Sequence, residues 1–361
     1  MSGHILKRVS IYRVMGDKMR KLLNTLYVMT ESYFLTLDGE NIVVQNGERT
    51  VARFPLHTLE GIVSFTYKGA TPALMGACAQ RNIGLIFFSP QGKFLARTVG
   101  KEHGNVLLRK EQYRISDAED KGIQYVKNMI MGKVFNSRWC IERTLRDHAY
   151  RVDAAKLKNI SGVLYETLPK INGVSELDEL RGIEGKAAER YFSVFDELIL
   201  NQKEDFKFTT RNRRPPLDYV NAVLSFAYTI LAGECTNALL SVGLDPYVGF
   251  MHGDRPGRTS LALDLMEELR PVLSDRFILT LINTKAVQAK HFEKQKDQAV
   301  LLNEDGRKVF FQAWQNHKKE MITHPFLKEK IEWGLVPYVQ ALLLARTIRG
   351  DLEEYPPFLW K

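Results

Sequence analysis

The sequence predicts an α+β protein, with a small N-terminal β-rich, sandwich-like domain followed by a larger all-helical domain. Residues 22–99 fall into short runs of period two, broken by Gly, Pro, Asn and Asp, as strands joined by turns do. From about Asn105 the apolar period changes to 3.6. The 361 residues suffice for two domains of ordinary size.

The elements follow in order. Residues 1–18 are basic and patternless and carry no secretory core. They are expected to be a disordered arm or an extension upstream of a start at Met19. Residues 19–100 form a platform or dimerisation domain. Strands are predicted at 22–30, 33–38, 41–45, 50–54 and 58–66, with turns at Glu31-Ser32, Asp38-Gly39 and Asn46-Gly47. The first two strand pairs look like hairpins. Thr71-Pro72 opens a helix to Arg81, Pro72 suiting its first turn. The apolar run 83–89 reads as a buried strand, and 94–99 as the last one.

Residues 101–116 are assigned to a linker and 117–361 to the helical catalytic domain. Helical periodicity covers 105–114, 117–147, 151–158, 186–202, 217–241, 260–272, 274–282, 305–321 and 333–348. Loops are expected at 168–175 and 201–208. The 117–147 stretch carries Lys121, Lys127, Lys133, Arg138, Arg143 and Arg146, a basic face that is either solvated or set against phosphate.

Composition narrows the function classes. No run reaches the ~18 apolar residues of a membrane span. A formal charge of +9 and a pI near 9.3 favour a polyanionic partner, nucleic acid first. Three widely spaced cysteines form no CxxC pair, which disfavours a disulfide framework or structural zinc and favours a reducing cytoplasm.

The chemistry is concentrated in Gly243–Pro271, a glycine- and proline-rich loop carrying His252, then an amphipathic helix capped by Thr259 or Ser260. Asp264 and Glu267 lie three apart on one face of that helix, among leucines. Carboxylates so embedded need a positive partner, and a histidine beside them suggests a divalent metal. Two motifs support this. Glu184 lies between two glycines at an expected helix start, either for close approach to a ligand or to complement the helix dipole. Arg211, Arg213 and Arg214 precede a Pro-Pro corner, as a phosphate-binding patch or an exposed basic loop. Arg258 joins the candidate DNA-binding set. Asn221 and Glu234 are expected to be buried hydrogen-bonding residues in their helices.

Taken together, LLNTLYVMTESYFLTLDGENIVV, LRGIEGKAAERYF, RNRRPPLDYVNAVLSFAYTIL and GLDPYVGFMHGDRPGRTSLALDLMEELRP resemble the CRISPR adaptation integrase/endonuclease (Cas one) family. The segment 55–97 is similar to the branch found with type I-C systems. The resemblance covers 19 to about 352. It implies a dimer-forming β-domain and a helical domain with one Mg²⁺ or Mn²⁺ site, whose ligands match Glu184, His252 and Glu267. Asp264 matches a further acidic position of the site. It implies insertion of short double-stranded DNA fragments into a CRISPR repeat array by 3′-hydroxyl attack on a phosphodiester. The implied partners are a second copy, the small Cas-two protein and a Cas-four nuclease, in a prokaryotic cytoplasm and with no membrane. The alternatives are a metal-dependent nuclease acting on branched or repair DNA, or a non-catalytic DNA-binding scaffold.

Overall fold

The computed structural model of the chain describes residues 25–28, 30–59, 61–81, 83–89, 94–98 and 106–361. The N-terminal region holds two sheets. Strands β2 (Tyr33–Asp38), β3 (Asn41–Asn46) and β4 (Arg49–Pro55) form an antiparallel meander, turning at Gly39 and Gly47 with φ of +57° and +60°. Strand β1 (Thr25–Val28) does not form the expected hairpin with β2. It pairs in parallel with β5 (Gly61–Ser64). Helix α1 (Pro72–Gln80), capped by Thr71 Oγ1, carries the chain to β6 (Gly84–Phe88) beside β5, and β7 (Phe94–Arg97) completes a sheet ordered β1-β5-β6-β7.

Burial on both faces decides where β1 goes. Ile62, Leu85 and Phe87 face a core shared with Leu35, Ile42 and Leu74 of the meander and α1. Val63, Ile86 and Phe88 face the helical region. On β1, Val28 enters the first core, while the Tyr27 ring stacks 4.0 Å from Phe311 of the helical region. A strand covered on both sides belongs to the inner sheet, whereas the meander keeps an exposed face.

The assigned linker 101–116 contains a helix, α2 (Val106–Ser116); residues 101–105 lie outside the described residues, as does the arm 1–18. Helix α3 (Glu119–His148) packs against α4 (Ala154–Gly173) and α5 (Leu177–Phe192). The loop expected at 168–175 is largely helix. The buried stripe Leu157, Ile160, Leu164 and Ile171 carries α4 through Pro169. Helix α5 starts earlier than expected, where Leu177 and Leu180 are buried, so Glu184 lies about two turns inside it. The dipole reading of Glu184 is thereby removed.

Helix α6 (Tyr219–Ser241) is long and apolar enough to cross a membrane by length and composition. Here it is a core helix, packed by α7 (Ser260–Met266), α8 (Arg276–Asn283) and α10 (Val336–Ile348). Its Glu234 accepts from Trp314 Nε1 at 3.0 Å and Lys318 Nζ at 2.9 Å, both on α9 (Glu304–Lys318). The helix expected over 260–272 ends at Met266, and Arg270–Asp275 is a π-helical segment containing Pro271. The region is not all-helical. Ribbons β8–β9 (Phe292–Lys294, Val300–Leu302) and β10–β11 (Met321–Thr323, Lys330–Glu332) interrupt it. Their three-residue strands are too short to carry a period.

Candidate active site

The loop carrying His252 is held from three sides. Gln112 of α2, fully buried, donates to the carbonyls of Asp245 at 2.7 Å and Val248 at 2.8 Å and accepts from Asp245 N. Ser116 Oγ donates to Gly249 O at 2.7 Å. The helix placed in the linker thus buttresses the loop. Arg181 donates to Met251 O, tying the loop to the helix of Glu184. From below, Asp264 Oδ2 accepts from Phe250 N (2.6 Å) and Met251 N (3.0 Å), and Oδ1 accepts from His252 N (3.1 Å). Gly249 makes the approach possible, because a Cβ there would stand 2.8 Å from Asp264 Oδ2 and from Ser260 Cβ.

Asp264 Oδ1 also lies 2.6 Å from His252 Nδ1. A carboxylate accepting from Nδ1 selects the tautomer in which the uncharged ring would present the Nε2 lone pair. That nitrogen stands 4.0 Å from Glu267 Oε1. Asp264 and Glu267 start from one helix face but do different work. Asp264 turns back to the loop, and Glu267 turns to the cations.

Glu184 and Glu267 meet on Lys133, a residue that composition alone assigns to a basic helix face. Lys133 Nζ donates to Glu184 and, at 2.7 Å, to Glu267 Oε2. Its side chain is only 12% exposed. The sequence signal that marks it is positional. Residue 133 falls four after Met129, three after Ile130 and four before Ser137, on the buried stripe of α3. Arg270 Nη2 lies 3.1 Å from Glu267 Oε1. Burial alone would raise the Glu267 carboxyl, but Arg270 and Lys133 outweigh it and lower it to about 2.

A second layer fixes this pair from behind. Glu268, next to Glu267, is fully buried and accepts from Tyr355, from Gln340 Nε2 (3.0 Å) and from Phe358 N (2.6 Å). Asn136 of α3 donates to Glu268 O (2.8 Å) and Phe358 O (2.7 Å). Burial pushes the Glu268 carboxyl up to about 7 against these hydrogen bonds. Gly132, beside Lys133, leaves the room Glu268 needs, since a Cβ there would lie 2.7 Å from Glu268 Cβ.

The arginine corner divides. Arg213 and Arg214 are exposed, and Arg213 lines a cleft with Glu184, Lys133, Tyr228, Arg270 and Asp275. Arg211 departs from the expected DNA-facing role. Its guanidinium turns inward to Asn212 O (2.5 Å), Asn221 Oδ1 (2.7 Å) and Ser225 Oγ (3.1 Å), and lies over Tyr228. Asn221 is the buried hydrogen-bonding residue expected, and it also donates to Thr210 O at 2.8 Å. Arg258 is half-buried on the loop after His252. Elsewhere on the α3 basic face, Arg143 and Arg146 pair with Asp147, and Arg138 lies over Trp139 and Tyr165.

The donor set fits a hard divalent cation. Two carboxylates already share one cationic nitrogen, and the imidazole lone pair stands 4.0 Å from one of them. That separation is within the span of two bonds of about 2.1 Å to one ion. Among the described residues, however, no three His, Cys, Asp or Glu side chains already form a cage.

Comparison with known proteins places the chain. The family model described as CRISPR associated protein Cas1 matches residues 26–316. "CRISPR-associated endonuclease Cas1 2" of Rhodospirillum rubrum is 49% identical over 95% of this chain and 100% of its own. "CRISPR-associated endonuclease Cas1 1" of Chlorobaculum tepidum is 44% identical over the same shares. A "CRISPR-associated exonuclease Cas4/endonuclease Cas1 fusion" of Geobacter sulfurreducens is 34% identical over 92% of this chain and 60% of its own. Among solved structures, a casposase bound to integration product superposes with a TM-score of 0.80 at 22% identity, covering 93% of both chains. A chain of a Cas6-RT-Cas1–Cas2 complex gives 0.77 at 20% identity, covering 95% of this chain and 37% of that one. These structures share the fold of a strand-rich N-terminal region followed by a helical domain. With a relative at 49% identity and the family model spanning most of its length, the chain belongs to the Cas1 family of CRISPR-associated proteins.

Proposed function

We propose that the protein inserts short double-stranded DNA fragments (prespacers) into a CRISPR repeat array, as a type I-C-like member of the family. A 3′-hydroxyl of the fragment attacks a repeat phosphodiester. One P–O bond forms and one breaks, and the proton of the attacking hydroxyl ends on the departing 3′-oxygen, with no net consumption of water. The observation that carries the reading is the convergence of Glu184 and Glu267 on one cationic position beside His252 Nε2.

Glu184, Glu267 and His252 would hold Mg²⁺ or Mn²⁺. Bound there, the ion polarises the phosphate and lowers the cost of the oxyanions at both ends of the displacement. Oxygen donors suit either metal, and the single imidazole tilts the choice toward Mn²⁺. The chain's own residues prepare this. Arg270 keeps Glu267 ionised despite burial. Asp264 directs the imidazole and ties three successive backbone N–H groups of its loop. Arg213, at the cleft, and the exposed Arg214 beside it in the chain hold the DNA backbone without reading its sequence.

Partnership with Cas2 and a Cas4 nuclease is supported by the Cas6-RT-Cas1–Cas2 complex among the structural relatives and the Cas4/Cas1 fusion among the sequence relatives. Homodimerisation through the β-domain and a cytoplasmic location complete the proposal.

The test is joining of a 3′-hydroxyl fragment to a repeat-bearing plasmid. Glu184→Ala, His252→Ala and Glu267→Ala should each abolish Mg²⁺/Mn²⁺-dependent joining while keeping DNA binding. Wild-type joining by any one of them would sink the ligand assignment. Cleavage of branched DNA without any joining would favour the nuclease reading.

A further inference from the structure

The point where Glu184 and Glu267 converge is filled by the Lys133 ammonium. A lysine there is costly to bury on the apolar stripe of α3, and among the described residues the two carboxylates are its hydrogen-bond partners. An ammonium nitrogen sits 2.7 Å from Glu267 Oε2, whereas a divalent ion would need about 2.1 Å to the same kind of oxygen. An ion held between His252 Nε2 and Glu267 Oε1 would stand beside the ammonium on the other oxygen of the same carboxylate, where the two cations repel.

The two basic residues on Glu267 differ in what they can do. Arg270 grips Oε1 and is stacked over Tyr228 at 5.2 Å. Its planar fork is held on two sides. Lys133 grips Oε2 through a flexible four-carbon stem and borders the cleft with Arg213. One cation can leave while the other stays.

We propose that Lys133 is a built-in competitor for the catalytic cation: its ammonium occupies the cation position in the metal-free protein, holds Glu184 and Glu267 together, and is displaced toward the Arg213 cleft when the divalent ion binds. This rests on the metal reading of Glu184, His252 and Glu267. In the metal-free protein the ammonium keeps Glu184 paired and gives Glu267 a second cation beside Arg270. The exchange also weakens metal binding, because the ion must displace a bound charge. The freed ammonium then faces the cleft where a phosphate would lie, so metal loading and DNA contact become linked through one side chain.

The test uses Mn²⁺ alone with the full metal-free chain. Free Mn²⁺ is followed by electron paramagnetic resonance, and thermal midpoints are taken with and without the ion. Lys133→Met, which keeps the stem and removes the charge, should bind Mn²⁺ about tenfold more tightly than wild type or better, since a unit charge about 4 Å away still counts at an effective dielectric near 20. Its midpoint should be lower without metal and rise further with it. Glu184→Gln should weaken binding. If Glu184→Gln weakens binding but Lys133→Met binds Mn²⁺ no more tightly than wild type, Lys133 is a fixed part of the site and the inference is overturned while the metal reading stands. If wild type binds no Mn²⁺ that depends on Glu184, the metal reading itself fails and takes the inference with it. Should Lys133→Met not fold, a Mn²⁺-bound crystal structure of the wild type decides. A nitrogen released from at least one carboxylate supports the exchange, and one still bonded to both refutes it.

Discussion

Replacing Asp264 by Asn tests whether this residue would meet the proposed ion itself or only positions His252. The buried Asp264 carboxylate accepts from three backbone N–H groups and from the His252 ring. Asn keeps the shape but offers one acceptor oxygen and an NH₂. If the oxygen serves His252, the N–H groups of Phe250 and Met251 face a donor. Two charge-assisted hydrogen bonds of about 1.5–3 kcal/mol each are then lost, and the expected destabilisation is about 3–6 kcal/mol. If the amide flips, the NH₂ meets Nδ1, the ring changes tautomer, and Nε2 carries the proton. In both cases affinity for Mn²⁺ should drop about 10–100-fold, the usual cost of losing such an outer partner. Urea unfolding measures the first effect and Mn²⁺ titration the second. The decisive comparison is in a His252→Ala background. There, Asp264→Asn should still cost stability but leave Mn²⁺ affinity unchanged within about threefold. Independent, additive losses of affinity would show that Asp264 meets the ion directly and would refute the reasoning.

Two further outcomes are expected. Arg213→Glu with Arg214→Glu should weaken duplex binding and lower the slope of log K against log salt by about 2, whereas Arg211→Ala should leave that slope alone and cost about 2–3 kcal/mol of stability by removing the hydrogen bonds to Asn221 and Ser225; salt titrations of DNA binding beside urea melts distinguish the two. Asp275 is buried, and burial raises its carboxyl to about 6 from 3.8 even though Tyr228 donates to it at 2.6 Å. The folded state therefore binds this proton more tightly than the unfolded one. The stabilisation, at most roughly 3 kcal/mol, is complete below about pH 4 and lost as pH rises through 6. Asp275→Asn should flatten that part of the stability profile, and an unchanged slope between pH 4 and 6 would contradict it.

Much of the candidate site is legible in the chain alone, as a set of residues the structure brings near one another. His252, Asp264 and Glu267 fall in one loop–helix unit, and their spacing puts polar groups where burial has to be compensated. Glu184 is legible from its glycine setting and the family resemblance, but its place inside α5 is not. Helix starts depend on where Leu177 and Leu180 find a core. Lys133 is hidden because a basic residue on a basic helix looks solvated until its neighbours on the buried stripe are noticed. Arg211 misleads for the opposite reason. Three arginines in four positions look alike in sequence, and only Asn221 and Ser225, on the next helix, single out the one that turns inward.

By itself the sequence determined the order of the N-terminal strands and of most helices after them, the switch from period two to period 3.6, and the chemical kinds of the candidate site residues, all of which depend on local spacing. The tertiary structure decided what depends on pairs distant in the chain. It placed β1 beside β5 because both faces of that strand are covered. It made the helix at 106–116, within the expected linker 101–116, the buttress of the His252 loop through Gln112 and Ser116. It brought the carboxylates of α5 and of the turn after α7 onto one lysine of α3, because buried charges must find their opposites wherever in the sequence these lie.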